Sequence, residues 1–370
     1  MTDDDRRITL GHGAGGRLTL DLVQGLFAPL LANRFLEPLG DAAVCPDPNG
    51  RIALTTDSFV VQPLFFAGGD IGSLAINGTV NDLAVAGARP LYLTLGVILE
   101  EGLPLADLER VIASIADAAT RAGVQVVAGD TKVVERGKGD GIFLNTAGVG
   151  VVRSGYPRTD RGPASGDAIL VSGPMGDHGA VILAARHGLI PGPGLASDCA
   201  PVTSLVDALF AAGIAPLFMR DPTRGGLAGV LADLAEIPGS GVRVEEAAVP
   251  IRPAVETVCA ITGVDPWHLA CEGRVVAVVA AEDAERAIAA WRAIPGGEAA
   301  ARIGSITAGS RGRVDAGSSG RSDAESNGRA DADISGRRGA ESPGRVVLVT
   351  RYGGARLLLR PSAELLPRIC

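Results

Sequence analysis

The final residue, Cys370, is a thiol in a position where a side chain has little to pack against. Exposed thiols oxidise and exchange readily, so a cysteine at a chain end is either a liability or a reactive group. The last ten residues, PSAELLPRIC, contain two prolines and continue no hydrophobic pattern, which predicts a mobile tail over 361–370. Cys370 is therefore a candidate reactive group carried on a mobile segment.

The remaining cysteines show no spacing that indicates chemistry. The chain has five cysteines, an odd number, and no CxxC pair, which argues against a disulfide framework and against a structural zinc site. We expect reduced thiols, with the four internal ones packed as small apolar side chains.

Three aspartates have the chemistry to hold a hard cation. Asp57 ends the strand-like run IALTTD, Asp130 ends VQVVAGD, and Asp82 lies within INGTVNDLAVAG. Carboxylates at strand ends face the crevice in which α/β proteins bind ligands, and Mg²⁺ shares carboxylate oxygens with nucleotide phosphates. Taken alone, each aspartate could instead cap a helix or stabilise a turn. Together they predict a magnesium site.

A buried helix supplies one of these aspartates. The segment 71–86 is made mostly of Ile, Leu, Ala, Gly and Val, and Asn77, Asn81 and Asp82 interrupt it. Polar groups buried in an apolar helix need hydrogen-bond partners, so these three side chains either satisfy neighbouring loops or line a site. The second interpretation is favoured.

Two glycine-containing stretches could contact phosphates. RDPTRGGL combines Asp221, Arg224 and Gly225 ahead of an apolar helix, a combination suited to a metal ion and phosphate together. GHGAGGR at 11–17 is a second glycine-rich loop. Neither contains the pattern GxxxxGK[ST], so an ordinary P-loop ATPase is not supported. The alternative for the first stretch is simple helix capping by Asp221 or Thr223.

The composition excludes several classes of protein. The chain has 370 residues, 46% of them hydrophobic and 21% charged, with a net charge of -8, which disfavours nucleic acid and anionic membranes as partners. The acidic start MTDDDRRITL lacks the features of a signal peptide, and no stretch reaches the roughly 18 apolar residues that cross a bilayer. We expect a cytoplasmic protein.

Strand-like and helix-like patterns alternate along the chain and predict two α/β domains. We expect a glycine-rich nucleotide-contacting segment at 1–40, an ATP- and metal-binding domain at 41–155, a second domain at 165–360 and the tail. Residues 308–345, rich in Gly, Ser, Arg, Asp and Ala, predict a disordered insertion between two strands of the second domain.

Taken together, these stretches resemble the PurM-like ATP-binding superfamily and, within it, the HypE family of [NiFe]-hydrogenase maturation factors. The resemblance spans the chain except the insertion. The residues that carry it are LGHGAGGR (10–17), TTDSFVVQPLFFAGGDIGSLAINGTVNDLAVAGARP (55–90), VAGDTKVV (127–134), RDPTRGGL (220–227), CEGR (271–274) and PRIC (367–370).

The resemblance implies a mixed α/β, two-domain PurM-like fold, an N-terminal mixed sheet that pairs in a homodimer, and a C-terminal α/β sandwich domain. It implies that the enzyme dehydrates a carbamoyl group on Cys370 to a thiocyanate, with ATP and Mg²⁺. It further implies a HypF-like carbamoyltransferase as donor and a HypC-HypD complex as cyanide acceptor.

The resemblance also assigns site residues. Cys370, Lys132 and Glu272 would be catalytic. The alternatives are that Lys132 is a phosphate or carboxylate partner, that Glu272 is a strand-end ion-pair residue, and that His12 only orders its loop. The metal ligands would be Asp57, Asp82, Asp130 and Asp221. The ATP contacts would be His12, Gly13, Gly15, Gly16, Asp57, Asn81, Asp82, Asp130, Thr131, Asp221, Arg224 and Gly225.

Two alternatives stay open from the sequence. One is another PurM-like synthetase or kinase, selenophosphate synthetase-like, that acts on a free small molecule and makes no use of Cys370. The other is a carrier that receives a group on Cys370 and passes it on without ATP chemistry.

Overall fold

The computed structural model describes residues 6–157, 161–190, 194–308, 344–360 and 368–370. The predicted insertion lies almost wholly outside these residues, and so do residues 361–367 of the predicted tail. The last three residues of the tail are described.

A four-stranded mixed sheet forms the first domain, in the strand order β1-β6-β4-β5. Strand β6 pairs antiparallel with β1 and β4, and β4 pairs parallel with β5. Its elements are α1 (Arg17–Leu22), a π-helical turn (Val23–Phe27), α2 (Ala28–Leu30), β1 (Ile52–Phe59), β2 (Phe65–Phe66), β3 (Gly69–Asp70), α3 (Ile71–Val85), β4 (Ala88–Glu100), α4 (Leu105–Ala122), β5 (Gln125–Val134) and β6 (Ile142–Val152).

Helices α3 and α4 cover one face of this sheet. In α4 the buried residues recur at helical spacing, from Leu108 through Ile112 to Ile115, and Gly123 ends the helix with a positive φ of 69°. Helix α3 is buried on almost every side, and the side chain of Asp70 accepts a hydrogen bond from the N–H of Ser73 at its start. The helix is therefore held as a core element rather than as a surface helix.

The other face of the sheet is open along β1. Side chains alternate between the faces of a strand, and Ile52 and Leu54 lie on the uncovered side with 56% and 75% of their surface exposed. Apolar side chains of this size at such exposure form a patch that favours a partner surface.

The second domain is a three-layer α/β sandwich around a sheet in which seven described strands follow the order β13-β12-β9-β11-β7-β10-β8. One face packs against α7 and the other against α6 and α9. Its elements are β7 (Ala168–Val171), α5 (Asp177–Arg186), α6 (Thr203–Ala211), β8 (Phe218–Arg220), α7 (Gly226–Glu236), β9 (Ser240–Glu245), α8 (Pro253–Thr262), β10 (Val276–Val279), α9 (Ala284–Arg292), β11 (Ala301–Ala308), β12 (Val346–Val349) and β13 (Ala355–Leu357).

The strands on either side of residues 309–343 belong to one sheet. Strands β11 and β12, which precede and follow the insertion, lie on either side of β9 in the same sheet. Among the described residues, none of the helices combines the length and the apolar character needed to cross a membrane.

Candidate active site

Two aspartates of the first domain form the centre of an acidic cleft. Asp57 projects from β1 toward α3, which places its carboxyl group near that of Asp82. The hydroxyl of Thr55 donates to Asp82 Oδ2 at 2.7 Å. Burial, and then the negative charge of Asp82, raise the pKa of Asp57 to about 6. Such mutual repulsion favours a proton or a cation between the two carboxylates.

A third carboxylate joins them from the second domain. Asp221 follows β8 and is buried, and its pKa rises to about 7 because of burial and then the charges of Asp82 and Asp57. The positive charge of Arg224 lowers the pKa of Asp57, so its guanidinium also lies near this group. Gly225 adopts a positive φ of 81° at the start of α7, a conformation that favours glycine.

Glu272 is the most deeply buried carboxyl group of the cleft. Its side chain is 1% exposed, and Oε1 has no hydrogen-bond partner among the described residues. Burial, then the charges of Asp221 and Asp198, raise the pKa of Glu272 well above its ordinary value. A buried carboxyl group with an unsatisfied oxygen is poised to accept a hydrogen bond or a proton from a bound group.

Asn81 joins the two domains. Its Nδ2 donates to the carbonyls of Glu272 at 3.0 Å and Ala200 at 3.1 Å, and its Oδ1 accepts from the N–H of Val202 at 2.8 Å. These contacts use the whole amide on the main chain of the second domain. The predicted contact between Asn81 and ATP has no support from this geometry, which instead makes Asn81 a positioning residue for Glu272.

Asp130 is not brought to the cleft, and the expectation that Asp57 and Asp130 end their strands was wrong. Both lie inside strands. Asp57 pairs with Thr146 of β6. Asp130 pairs with Gly96 of β4, and Gly96 pairs on its other side with Asn145 of β6. Because Asn145 and Thr146 are consecutive in β6, the two aspartates lie on opposite faces of the sheet. The assignment of Asp130 as a metal ligand stays a prediction.

Lys132 binds Asp130. Its Nζ lies 2.8 Å from Asp130 Oδ1, and both side chains are largely exposed. This ion pair matches the predicted alternative of a carboxylate partner.

The glycine-rich loop closes a cavity of about 500 Å³ beside β5. An added Cβ on Gly13 would lie 2.5 Å from the main-chain nitrogen of Val133, so only glycine permits this approach. His12 Nδ1 accepts from the N–H of Thr9 at 3.0 Å, which orders the loop. The polar part of the cavity wall is formed by Gly13, Gly15, Asp130, Thr131 and Lys132, and the apolar part by Val23, Phe27, Leu31, Phe35, Leu95 and Val97. Gly16 lies beside the cavity, at the start of α1.

The C-terminus points inward. Ile369 is 3% exposed within the core of the first domain, and Cys370 packs against the same core. The carbonyl of Cys370 accepts a hydrogen bond from the N–H of Val60 at 3.3 Å. The predicted reactive thiol therefore lies against the molecule rather than in solvent, while the predicted mobility of the tail stays a prediction.

The donor chemistry of the cleft suits Mg²⁺. Among the described residues, no three His, Cys, Asp or Glu side chains are arranged as a complete metal site. Mg²⁺, however, usually takes one or two carboxylates together with phosphate oxygens and water. The paired carboxylates of Asp57 and Asp82, which repel each other, are a donor set of that kind.

Sequence reasoning missed the contribution of His178, Ser197 and Asp198 to this region. His178 Nδ1 lies 2.8 Å from Ser197 Oγ, and the N–H of Glu272 donates to Asp198 Oδ1 at 3.0 Å. The signal for His178 was its place in a glycine loop before an apolar helix. Ser197 and Asp198 lie in a loop without a pattern.

Known proteins resemble this chain along nearly its whole length. The models of AIR synthase related protein match residues 39–152 with the N-terminal domain and 164–317 with the C-terminal domain. The carbamoyl dehydratase HypE of Cupriavidus necator is 44% identical over 365 residues, which are 98% of this chain and 95% of that protein.

Solved structures show the same similarity. The crystal structure of hydrogenase maturation protein HypE in complex with ATP has a TM-score of 0.85 and 42% identity, and the match covers 98% of this chain and 99% of that one. The crystal structure of a HypE-HypF complex has a TM-score of 0.72 and 39% identity, with 92% and 99% covered.

Fold and cleft thus define a two-domain, PurM-like protein of the AIR synthase-related class, as predicted. At this identity and coverage the chain belongs to the HypE family of carbamoyl dehydratases, enzymes of hydrogenase maturation. The alternative of a synthetase or kinase that acts on a free small molecule has less support, because these relatives are carbamoyl dehydratases.

Proposed function

We propose that this enzyme dehydrates a carbamoyl group on the sulfur of its own Cys370, with ATP, and so supplies cyanide for the iron of [NiFe]-hydrogenase. The observation that carries the proposal is the inward C-terminus. The Nε2 atom of His178 lies 2.8 Å from the carbonyl oxygen of Ile369. The N–H of Gly179, the next residue of α5, donates to the carbonyl of Ala270 at 3.0 Å. Glu272 is two residues further along, so the tail ends close to the buried carboxyl group.

The chemistry follows from the substrate. A carbamoyl oxygen is a poor leaving group, and transfer of the γ-phosphoryl group of ATP to it makes phosphate the leaving group. Loss of the phosphate and of both N–H protons then converts R–S–C(=O)–NH₂ into R–S–C≡N, with ADP and phosphate as the other products. Glu272 is the base for the nitrogen protons, because its buried carboxylate holds protons more strongly than an exposed one.

The metal-bound phosphates are assigned to the acidic cleft. The cavity beside β5 lies against the opposite face of the sheet and is a separate candidate for nucleotide binding, because its apolar wall with Phe27, Leu31 and Phe35 suits a purine ring and its loop glycines with Lys132 suit phosphates. Asp57, Asp82 and Asp221 would hold Mg²⁺, which supplies charge neutralisation at the phosphates. The guanidinium of Arg224 would also neutralise negative charge on the phosphates.

The test is intact-mass analysis with peptide mapping. The protein is incubated with a carbamoyltransferase of the HypF type, carbamoyl phosphate and Mg-ATP. The C-terminal peptide should gain one carbamoyl unit, and should then lose one water with hydrolysable ATP but not with a non-hydrolysable analogue. Consumption of ATP while Cys370 stays unmodified would contradict the proposal.

Replacement of Asp221 by asparagine should separate stability from nucleotide binding. An acid whose folded pKa is raised from 3.8 to about 7 destabilises the folded state as pH rises through that interval. Asp221→Asn should therefore increase the free energy of unfolding at pH 8 by roughly 1–3 kcal/mol, and less at pH 5. The same change should abolish most of the rise in Tm that Mg-ATP gives.

Thermal melts at both pH values, with and without Mg-ATP, measure these effects. Asp117→Asn, at an exposed position of α4, is the matched control and should change neither quantity. If Asp221→Asn instead lowered the free energy of unfolding at pH 8, Asp221 would not be a buried carboxylate that destabilises the folded state.

The partners are proposed from the relatives. A structure of HypE with HypF supports a carbamoyltransferase of the HypF type as the donor to Cys370. A HypC-HypD complex is the proposed cyanide acceptor, and the cytoplasm is the proposed location.

A homodimer is proposed through the open face of the first sheet. The exposed Leu54 and Ile52 would be buried by a second copy of the same face. Leu54→Arg would place a charge in that contact and should weaken the dimer by roughly 30-fold or more. Analytical ultracentrifugation over a concentration series measures this. Leu359→Arg, at a leucine of the second domain that is 71% exposed, should leave association unchanged.

A further inference from the structure

The last three residues pair with the first domain like an added strand. The N–H of Val60 donates to the carbonyl of Cys370, and the N–H of Gln62 donates to the carbonyl of Arg368, each at 3.3 Å. Because the donors ascend by two residues as the acceptors descend by two, the pairing is antiparallel. Recognition through the main chain in this manner is β-augmentation.

The second domain holds the same three residues from α5. His178 Nε2 lies 2.8 Å from the carbonyl oxygen of Ile369. The guanidinium of Arg186 donates to the carbonyl of Arg368 and, at 2.8 Å, to that of Gln62. Helix α5 thus contacts both the tail and the segment 60–62 with which the tail pairs. The tail is therefore held by hydrogen bonds from both domains.

The surroundings of His178 fix which nitrogen carries its proton. The N–H of Cys199 donates to Ser197 Oγ at 3.1 Å, so the Ser197 hydroxyl proton is available to donate to His178 Nδ1. Nδ1 is then the acceptor, and Nε2–H is the donor to the tail. The ring of Phe66 packs edge-on against the imidazole at 5.2 Å and holds its plane.

Other charges near the imidazole leave this arrangement intact. Asp198 and Arg186 act on His178 with opposite sign, and complete burial lowers its pKa, so the ring stays neutral. A neutral ring with Ser197 on one nitrogen can make only one further hydrogen bond, and that bond goes to Ile369.

We propose that His178, Ser197 and Arg186 form a receptor that holds the C-terminal tail by its main-chain carbonyls, with the buried side chain of Ile369 as anchor. The docking of the tail does not depend on the proposed function. Only its role, which is to present the Cys370 sulfur to the cleft, rests on that function. His178 is a positioning residue: it sets the fraction of molecules in which the tail is docked.

The readout is the rate at which iodoacetamide alkylates Cys370 in the otherwise unmodified full-length protein, followed by peptide mapping. Alkylation of a docked thiol is proportional to the undocked fraction. Loss of one buried hydrogen bond should raise that fraction roughly 5- to 100-fold. We therefore expect His178→Gln and Ser197→Ala to accelerate alkylation in that range. Arg186→Gln, at an exposed position where folding is safe, should do so by roughly 5-fold.

The matched control is His187→Gln. His187 follows α5, is exposed, and lies beside Arg186, and it makes no hydrogen bond to the described residues of the tail, 368–370. It should leave the alkylation rate unchanged. Equal rates for the wild type, Arg186→Gln and Ser197→Ala would overturn the receptor.

A second measurement separates this proposal from the function. In protein already carbamoylated on Cys370, loss of water with Mg-ATP should slow in Ser197→Ala in proportion to the fall in the docked fraction, which is smaller than the rise in the alkylation rate as long as most tails stay docked. If alkylation responds as expected but the wild type loses no water, the receptor stands and the proposed dehydration fails. If dehydration proceeds but alkylation does not respond, the receptor fails alone.

Discussion

Replacement of Cys370 by alanine is expected to abolish both steps of the reaction. The sulfur is the atom that receives the carbamoyl group and that carries the nitrile, and no other side chain at the docked tail can replace it. After incubation with the carbamoyltransferase, carbamoyl phosphate and Mg-ATP, the intact mass of Cys370→Ala should stay that of the unmodified chain. Thermal stability should change little, because Ile369 remains to anchor the tail.

The matched control is Cys45→Ala. Cys45 is, like Cys370, half-buried, and it lies ahead of β1 outside the cleft. This variant should be modified on Cys370 as fully as the wild type. If Cys370→Ala still acquired a carbamoyl group that loses water, the substrate would be another thiol or a free molecule, and the terminal cysteine would have no chemical role.

Replacement of Glu272 by glutamine is expected to stop the reaction halfway. Glutamine keeps the shape of the side chain but cannot remove the nitrogen protons, and loss of a general base commonly costs about 10²- to 10⁴-fold in rate. The variant should accept the carbamoyl group on Cys370 normally and then accumulate it. Time-resolved mass analysis of the C-terminal peptide would show a long-lived carbamoyl form and almost no nitrile.

The same variant should be more stable than the wild type at pH 8. The folded protein raises the pKa of Glu272, so it binds that proton more tightly than the unfolded chain, and the wild type loses stability as pH rises above the ordinary range of a glutamate. Glutamine removes this loss, and the difference should shrink toward pH 5. Glu256→Gln, at an exposed glutamate of α8, should affect neither rate nor stability. A destabilised Glu272→Gln would mean that the carboxyl group is structural.

Much of the fold could be predicted because its signals are local. The apolar spacing of α4 and its Gly123 stop, and the strand-like runs that became β1, β4, β5 and β6, depend on neighbours a few residues away. The acidic stretches around Asp57, Asp82 and Asp221 were visible because carboxylates in apolar or glycine-rich surroundings are uncommon. Their residue types alone indicated a cation and phosphates.

The failures all depend on long-range pairing. The face on which Asp130 lies follows from the register of β5 with β4 and of β4 with β6, and a shift of one residue would have reversed it. The same is true of the contact between His178 and Ile369, which are 191 residues apart. Nothing near His178 in the sequence distinguishes a histidine that binds a main-chain carbonyl from one that packs in a core.

Ala308 and Gly344, the described residues on either side of 309–343, lie close to the same point of β9. Strand β11 ends at Ala308, which pairs with Ser240 at the start of β9, and Gly344 lies against the carbonyl of the same serine with no room for a Cβ. A connection between these ends has to span only about 10 Å, the width of two strand spacings. Each doubling of its length costs only about 0.6 kcal/mol. This edge of the sandwich is therefore a suitable site for inserting a reporter domain or an affinity tag, and such an insertion would leave the C-terminal tail unchanged.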